Sequence, residues 1–176
     1  MRGLITQKRN PQHHKGSLSN ICIEIINLDR RGLPFAEKEL KEAILYILHI
    51  FKIKKAQIDL CFVDNKLMRK LNYAYLKKNC PTDVLAFDLS NFPDDLTAEV
   101  FVSQAVAKKQ ARLYNNSLKA EVLLYVIHGI LHLLGFKHYS KKDKTVMLKR
   151  QKKIFDAISS RFFFHKKLKI NDYGIK

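Results

Sequence analysis

Cysteine is scarce in this chain of 176 residues, and long apolar runs are missing from it. Its three cysteines, Cys22, Cys61 and Cys80, form no C-x-x-C pair, which excludes a disulfide framework and a cysteine-based zinc knuckle. No stretch approaches the roughly 18 apolar residues that a membrane span requires. The first twenty residues also lack the apolar centre of a signal peptide. These absences predict a soluble, cytoplasmic protein with no membrane partner.

Acidic residues are also few. The chain has 16 Asp and Glu against 33 Lys and Arg, which gives a net charge of +17. Such an excess attracts phosphate polymers or anionic membranes. Most of these cations are lysines, whose flexible point charges suit contacts with phosphates better than the reading of bases. The charge therefore favours a nucleic acid partner, although a Lys-rich solvated surface would give the same composition.

Neither an internal repeat nor a second domain is present. The apolar content of 47% is sufficient for one buried core. The polar residues 1–20 predict a disordered basic extension, and residues 165–176 predict a basic tail. We therefore expect one folded domain, over residues 21–164.

The hydrophobic pattern of this domain predicts four strands and five helices. We expect the first helix to begin at Pro34, which suits a first helical position. The predicted strands are 21–27, 56–63, 84–89 and 100–102, and the predicted helices are 34–51, a short one capped by Asp64 or Asn65, 103–114, 118–134 and 143–164. Since the helix over 118–134 is apolar almost all the way round, it should be buried.

Three histidines carry the strongest functional signal, in the run from His128 to His138. His128 and His132 lie one turn apart on the same helical face, and Gly135 can turn the chain so that His138 returns to them. A single buried histidine usually bonds to a nearby carbonyl group, but three with this spacing indicate a metal site. Three imidazoles leave one open position, which favours a single catalytic zinc ion, with manganese, nickel and iron as alternatives.

The residue missing from this pattern is a glutamate. Metzincin proteases share the histidine spacing, and in them the residue after the first histidine is the glutamate that acts as general base. Gly129 stands at that position here. The spacing therefore indicates a metal site, whereas the absent carboxylate argues against peptide hydrolysis.

The run His128 to His138 resembles the motif H-G-x-L-H-L-x-G-[YF]-x-H of the YbeY family, bacterial endoribonucleases that mature ribosomal RNA. A second block resembles the family segment that ends in P-T-[DN]-V-L-[ST]-F. It runs from Leu71-Asn72 to Pro81-Thr82-Asp83-Val84-Leu85-Ala86-Phe87. The order and spacing of the two blocks agree with the family over residues 21–164.

The resemblance implies an α/β (α+β) domain with a small mixed four-stranded sheet, packed with about five helices. It implies that His128, His132 and His138 bind one zinc ion, and that the protein cleaves single-stranded RNA. The implied role is ribosomal RNA processing, particularly maturation of the 16S rRNA 3′ end, and ribosome quality control, with the small subunit as a partner. The alternatives are a metalloprotease-like hydrolase and a non-catalytic RNA-binding factor of ribosome assembly.

Two departures from the family pattern concern cations near the implied site. Leu76-Lys77 replaces the usual Arg-Gly, and Lys137 replaces the Asp that commonly precedes the third histidine. Lys77, Lys78 and Lys137 are the candidates for contacts with RNA phosphates, although the first two also fit an ordinary solvated loop. Attack by a metal-bound water and attack by the RNA 2′-hydroxyl group both remain open.

Overall fold

The computed structural model of the chain describes residues 20–92, 95–136 and 140–162, and only the backbone of Phe162. Its elements are, in chain order, β1 (Ile21–Asn27), α1 (Glu37–Ile50), β2 (Ala56–Val63), α2 (Asn65–Leu76), β3 (Val84–Asp88), β4 (Leu96–Ser103), α3 (Gln104–Leu113), α4 (Leu118–Leu133) and α5 (Lys141–Phe162). The predicted α/β class is therefore confirmed. Across the described ranges, every helix is too short or too polar to cross a membrane.

The four strands form one mixed sheet in the order β1-β2-β4-β3. β2 lies parallel to both β1 and β4, whereas β3 runs antiparallel to β4. The parallel strands β2 and β4 end side by side at Val63 and Ser103. β3 begins at the same edge, since Val84 lies opposite Val102 and the backbone N–H of Ser103 donates to the carbonyl of Asp83. We call this the upper edge of the sheet.

The two faces of the sheet bury different helices, because side chains alternate between faces along each strand. On one face, Ile58 and Val100 belong to the larger core, which also includes buried residues of α1, α4 and α5. On the other face, Phe101 belongs to a smaller core with Met68 and Leu71 of α2. We call these the α4 face and the α2 face.

Helix α4 is the centre of the larger core, as its all-round apolar pattern predicts. Every residue from Ala120 to Ile127 is buried. Ser117 is the N-cap of the helix: its side chain accepts a hydrogen bond from the backbone N–H of Ala120 at 3.1 Å. A helix fixed in this way is a rigid support for the histidines near its other end.

Helix α1 begins later than its sequence indicates. Pro34 predicts a first helical position, but the first helical residue is Glu37 and the cap is Ala36. The Glu39 carboxylate accepts a hydrogen bond from the backbone N–H of Ala36 at 3.0 Å. This bond satisfies a donor at the helix start, so the capping contact sets the boundary rather than the proline.

Strand β4 is longer than predicted. The sequence indicates residues 100–102, whereas the strand runs over Leu96–Ser103 and pairs with β2 along its whole length. The sequence does not predict the first half of the strand, because Ala98 and Glu99 both have low strand propensity. Both are nevertheless buried within the sheet. Pairing with two neighbouring strands therefore overrides the local propensity.

Candidate functional site

The two histidines of α4 direct their rings at a common point beside the helix. The Nε2 atoms of His128 and His132 are 3.1 Å apart. The rings stand at 90° to each other, with centroids 4.6 Å apart, and both side chains are half-buried. The structure thus brings together two of the three ligands predicted from the sequence, through the same nitrogen of each ring.

Gln151 holds the first of these rings in place from α5. Its side-chain oxygen lies 3.0 Å from Nδ1 of His128, and the residue is buried. An amide oxygen only accepts hydrogen bonds, so Nδ1 of His128 is the donor in this contact, and in the neutral ring its Nε2 then carries the lone pair. Histidines that bind metals are commonly oriented by an acceptor on the other ring nitrogen. Gln151 therefore holds the His128 ring with its Nε2 toward His132.

The spacing of the two nitrogens fits a metal ion. Zinc binds histidine nitrogen at about 2.0–2.1 Å in tetrahedral geometry, which places two ligand nitrogens about 3.3 Å apart. The observed Nε2–Nε2 distance of 3.1 Å is close to that value. The part of the chain that the structure describes contains no group of three metal-binding side chains. The third predicted ligand, His138, lies outside the described residues.

Gly129 lies where α4 packs tightly against β3 and β4. A Cβ atom built on this residue would be 2.9 Å from Cγ2 of Val84 and 3.0 Å from Cγ1 of Val100. Both distances are shorter than normal contacts between carbon atoms. A side chain at this position would therefore require a shift of α4 or of the Val84 and Val100 side chains. The missing protease base thus has a structural cause as well as a chemical consequence.

Gly135 ends α4, as its position in the sequence predicts. Its φ angle is +84°, in the left-handed region that favours glycine. The backbone N–H of Gly135 donates to the carbonyl of His132, and that of Phe136 donates to the carbonyl of Leu131, both at 3.0 Å. This pair of bonds is a Schellman motif. The Phe136 ring then packs against Phe51, the residue that follows α1, with 5.7 Å between centroids.

Helix α5 begins at Lys141, two residues earlier than predicted, and its start is capped. Ser140 and Asp143 cap it reciprocally: the Ser140 side chain accepts from the backbone N–H of Asp143 at 3.1 Å, and the Asp143 carboxylate accepts from that of Ser140 at 3.2 Å. The hydrogen bond from the Ser140 hydroxyl lowers the pKa of Asp143. Lys137 and His138, which lie between the two anchored ends, are outside the described residues.

The other candidate cations lie on the α2 face. Lys77 ends α2 with a φ angle of +60°, and its Nζ lies 3.4 Å from the carbonyl of Ala74. The Lys78 backbone N–H is 3.4 Å from the carbonyl of Asn72. Both side chains are exposed. Among the described residues, no hydrogen bond or ion pair connects Lys77 or Lys78 with the histidines.

Gln151 contacts the histidine pair, and the sequence analysis does not predict this contact. A signal for it exists, because Gln151 lies four residues after Met147 and four before Phe155, both of which are buried on the inner face of α5. A polar residue inside an apolar stripe needs a partner in the core. The identity of that partner depends on the packing of α5 against α4, which the sequence does not show.

The fold and the site define an α/β protein of one domain, with a histidine pair whose geometry fits a metal ion. The family model described as endoribonuclease YbeY matches residues 25–159, and the chain therefore belongs to the YbeY endoribonuclease family. The resemblance carried by the two sequence motifs is thus confirmed. Residues 128 and 132 lie within the match, as does the segment that contains His138.

Individual relatives agree with this assignment. The endoribonuclease YbeY of Endomicrobium trichonymphae is 34% identical over 139 residues, which cover 79% of this chain and 94% of that protein. The endoribonuclease YbeY of Carboxydothermus hydrogenoformans is 37% identical over 102 residues, or 57% of this chain and 71% of that protein. The solution structure of TM1509 from Thermotoga maritima matches with a TM-score of 0.57 and 27% identity, over 88% of this chain and 99% of that one.

Proposed function

We propose that the protein is a zinc-dependent endoribonuclease that cleaves single-stranded RNA in the cytoplasm. Its proposed substrate is ribosomal RNA, particularly the 3′ end of 16S rRNA, and its proposed role is maturation and quality control of the ribosome. The observation that carries the proposal is the 3.1 Å approach of the His128 and His132 Nε2 atoms, with Gln151 on the far nitrogen of His128. Membership of an endoribonuclease family and the net charge of +17 support RNA as the substrate.

In this proposal His128, His132 and His138 hold one zinc ion. When bound, such an ion acts as a Lewis acid that stabilises charge on a phosphate oxygen. Gln151 fixes the ring and the tautomer of His128, so that the ligand is oriented before substrate arrives. Lys77, Lys78 and Lys137 are proposed to neutralise phosphates along the RNA strand.

The products of cleavage identify the nucleophile. Attack by the RNA 2′-hydroxyl group leaves a 2′,3′-cyclic phosphate, whereas attack by water leaves a 5′-phosphate and a free 3′-hydroxyl group. Analysis of the product ends by mass spectrometry separates these two routes. Either result is compatible with a histidine-held metal that stabilises charge on the phosphate.

A paired cleavage assay tests the proposal. We expect the purified protein to cut a labelled single-stranded RNA, to lose this activity on chelation and to recover it with zinc. The His132→Ala variant should be inactive, while His49→Ala should stay active, because His49 is exposed at the end of α1. Equal cutting by all three proteins would indicate a contaminating nuclease and contradict the proposal.

The two alternative functions give different outcomes in the same experiment. A non-catalytic RNA-binding factor would bind the RNA and cut it in none of the conditions. A metalloprotease-like hydrolase would digest casein, but Gly129 stands where the metzincins have their glutamate base. The absence of this base and membership of an endoribonuclease family are the reasons that we favour RNA cleavage over peptide hydrolysis.

A further inference from the structure

A groove on the outer side of α2 has no role in the histidine site. Its volume is about 610 Å³. The lining consists of three cationic side chains, one aromatic ring, one proline and two amides. These residues are Asn65, Lys66, Arg69, Lys70, Tyr73, Asn79 and Pro81. Three cations and an aromatic ring in one groove match the chemistry of a nucleic acid strand.

The helix places these side chains on one stripe. Lys66, Arg69, Lys70 and Tyr73 follow the spacing i, i+3, i+4 and i+7, which keeps them on one face of α2. All four are exposed, whereas Met68 on the inner face is buried in the core of the α2 face. Of the described residues that line the groove, none is acidic. The groove therefore attracts anions and has no carboxylate to repel them.

Arg69 and Tyr73 are arranged to receive two different parts of a nucleotide. The Arg69 Nε donates to the side-chain oxygen of Asn79 at 2.7 Å, which orients its guanidinium group at the groove. A guanidinium group held in this way can grip a phosphate through two N–H groups. Tyr73 is 56% exposed, whereas the ring of Tyr75 packs on Phe87 with 4.4 Å between centroids. The Tyr73 ring thus offers a surface for base stacking.

The groove is connected to the histidine site through the upper edge of the sheet. Pro81 lines the groove, and Val84 contacts the Gly129 backbone beside His128 on the other face. Three residue steps separate Pro81 from Val84, at most about 11 Å of chain. A single strand that crosses this edge would therefore run from the groove to the α4 face, which carries His128.

We propose that the α2 groove is a binding subsite for single-stranded RNA, in which a base stacks on Tyr73 and the flanking phosphates contact Lys66, Arg69 and Lys70. This inference rests on the proposed function, because it places the groove on the path of the RNA strand whose cleavage occurs at the histidines. It assigns substrate recognition to a surface separate from the metal ligands. It also accounts for single-strand preference, since bases within a duplex are not free to stack on a side chain.

The test measures binding separately from cleavage. Fluorescence anisotropy follows a labelled single-stranded oligoribonucleotide on the full-length protein, in the His132→Ala background so that the RNA stays intact. We expect Tyr73→Ala to weaken binding by roughly tenfold, with Tyr73→Phe close to the parent, because stacking needs the ring and not the hydroxyl group. Binding to duplex RNA should be insensitive to both changes.

The electrostatic half of the subsite is tested by salt. A plot of log affinity against log salt has a negative slope, and Lys66→Gln should make it shallower by about 0.7, the value for one phosphate contact with a single strand. Lys38→Gln is the matched control, because Lys38 is 86% exposed on α1, which packs on the opposite face. The proposal is overturned if Lys66→Gln has the same affinity and salt slope as Lys38→Gln and if Tyr73→Ala binds single-stranded RNA as tightly as the parent.

The outcome is distinguishable from failure of the proposed function. If the groove variants weaken RNA binding while the parent protein shows no zinc-dependent cleavage beyond that of His132→Ala, the subsite stands and the nuclease proposal fails. If zinc-dependent cleavage is present and the groove variants bind RNA like the control, the nuclease proposal stands and the subsite is rejected. In active protein, the groove variants should raise KM and leave kcat nearly unchanged.

Discussion

The proposed functional residues on the α4 face are half-buried and held in place, whereas those on the α2 face are exposed. On the α4 face, His128 and His132 are half-buried, and Gln151 fixes one ring by a hydrogen bond. On the α2 face, the cations are exposed lysines and an arginine on the surface of a short helix. A metal site requires fixed ligand positions, whereas a surface that binds phosphates works with flexible point charges.

This difference predicts unequal tolerance to mutation. A change on the α4 face disturbs ligands whose positions depend on α4, α5 and two strands at once. A change on the α2 face removes one of several similar charges, and its neighbours partly replace it. Experiments that compare single substitutions on the two faces therefore test whether the roles are divided as proposed.

The largest effect is expected for loss of a ligand. His132→Ala should lower the rate of RNA cleavage by more than about a hundredfold, above the 10–100-fold loss typical of groups that only orient a ligand. Lys77→Gln, on the α2 face, should lower it only severalfold, because exposed charges contribute little individually. A gel assay of labelled RNA measures both. Equal losses in the two variants would show that the faces are not divided in this way.

A smaller effect is expected when the support of the ligand is removed. Gln151→Leu replaces the amide that accepts from Nδ1 of His128 with an apolar side chain of similar size. We expect zinc affinity to fall by about 10–100-fold. Gln151→Glu is the control, since it retains an acceptor oxygen. Competition with a fluorescent chelator gives the affinities. If the Gln151→Leu variant binds zinc as tightly as the parent, Gln151 has no role in zinc binding.

The next effect concerns the contact between α4 and the sheet. Gly129→Ala places a methyl group 2.9 Å from the Val84 side chain. Overpacking of this kind costs about 1–3 kcal/mol, and the higher helix propensity of Ala offsets up to about 1 kcal/mol of it. We expect a net decrease of about 1 kcal/mol in the free energy of unfolding, measured in urea. Gly32→Ala is the control, because nothing lies within 4 Å of its added Cβ and the change should be neutral.

The smallest effects compare the ends of α4 and α2. Both helices end at a residue with positive φ, Gly135 at +84° and Lys77 at +60°. Gly135→Ala should therefore destabilise the protein by about 1 kcal/mol, and Lys77→Gly should stabilise it by less than about 1 kcal/mol. Thermal unfolding gives both values. Shifts of the same sign would contradict the assignment of these two helix ends.

Most of the fold is visible in the sequence because local signals agree with the final packing. Ala56–Val63 is a predicted strand with boundaries as observed, since its apolar residues are buried on both faces. Helix α4 is equally clear, because it is apolar all round. The prediction is wrong where a long-range interaction outweighs a local one, as in β4, which buries Glu99 within the sheet.

The site is only partly visible for the same reason. The spacing of His128 and His132 is a local property of one helix, so their approach follows directly from helical geometry. The contact between Gln151 and His128 joins two residues that are 23 positions apart in the chain and lie on different helices. The steric role of Gly129 depends on Val84 and Val100, which lie on two different strands. Such contacts appear only once the elements have packed together.

The metal content of the purified protein tests the central claim most directly. Inductively coupled plasma mass spectrometry, after exhaustive dialysis, should find about one zinc ion per chain in the parent protein and in His49→Ala. It should find almost none in His128→Ala and His132→Ala, because three imidazole ligands are needed to retain the ion. Equal zinc content in all four proteins would contradict the account, since it would show that the histidines of α4 do not bind the metal.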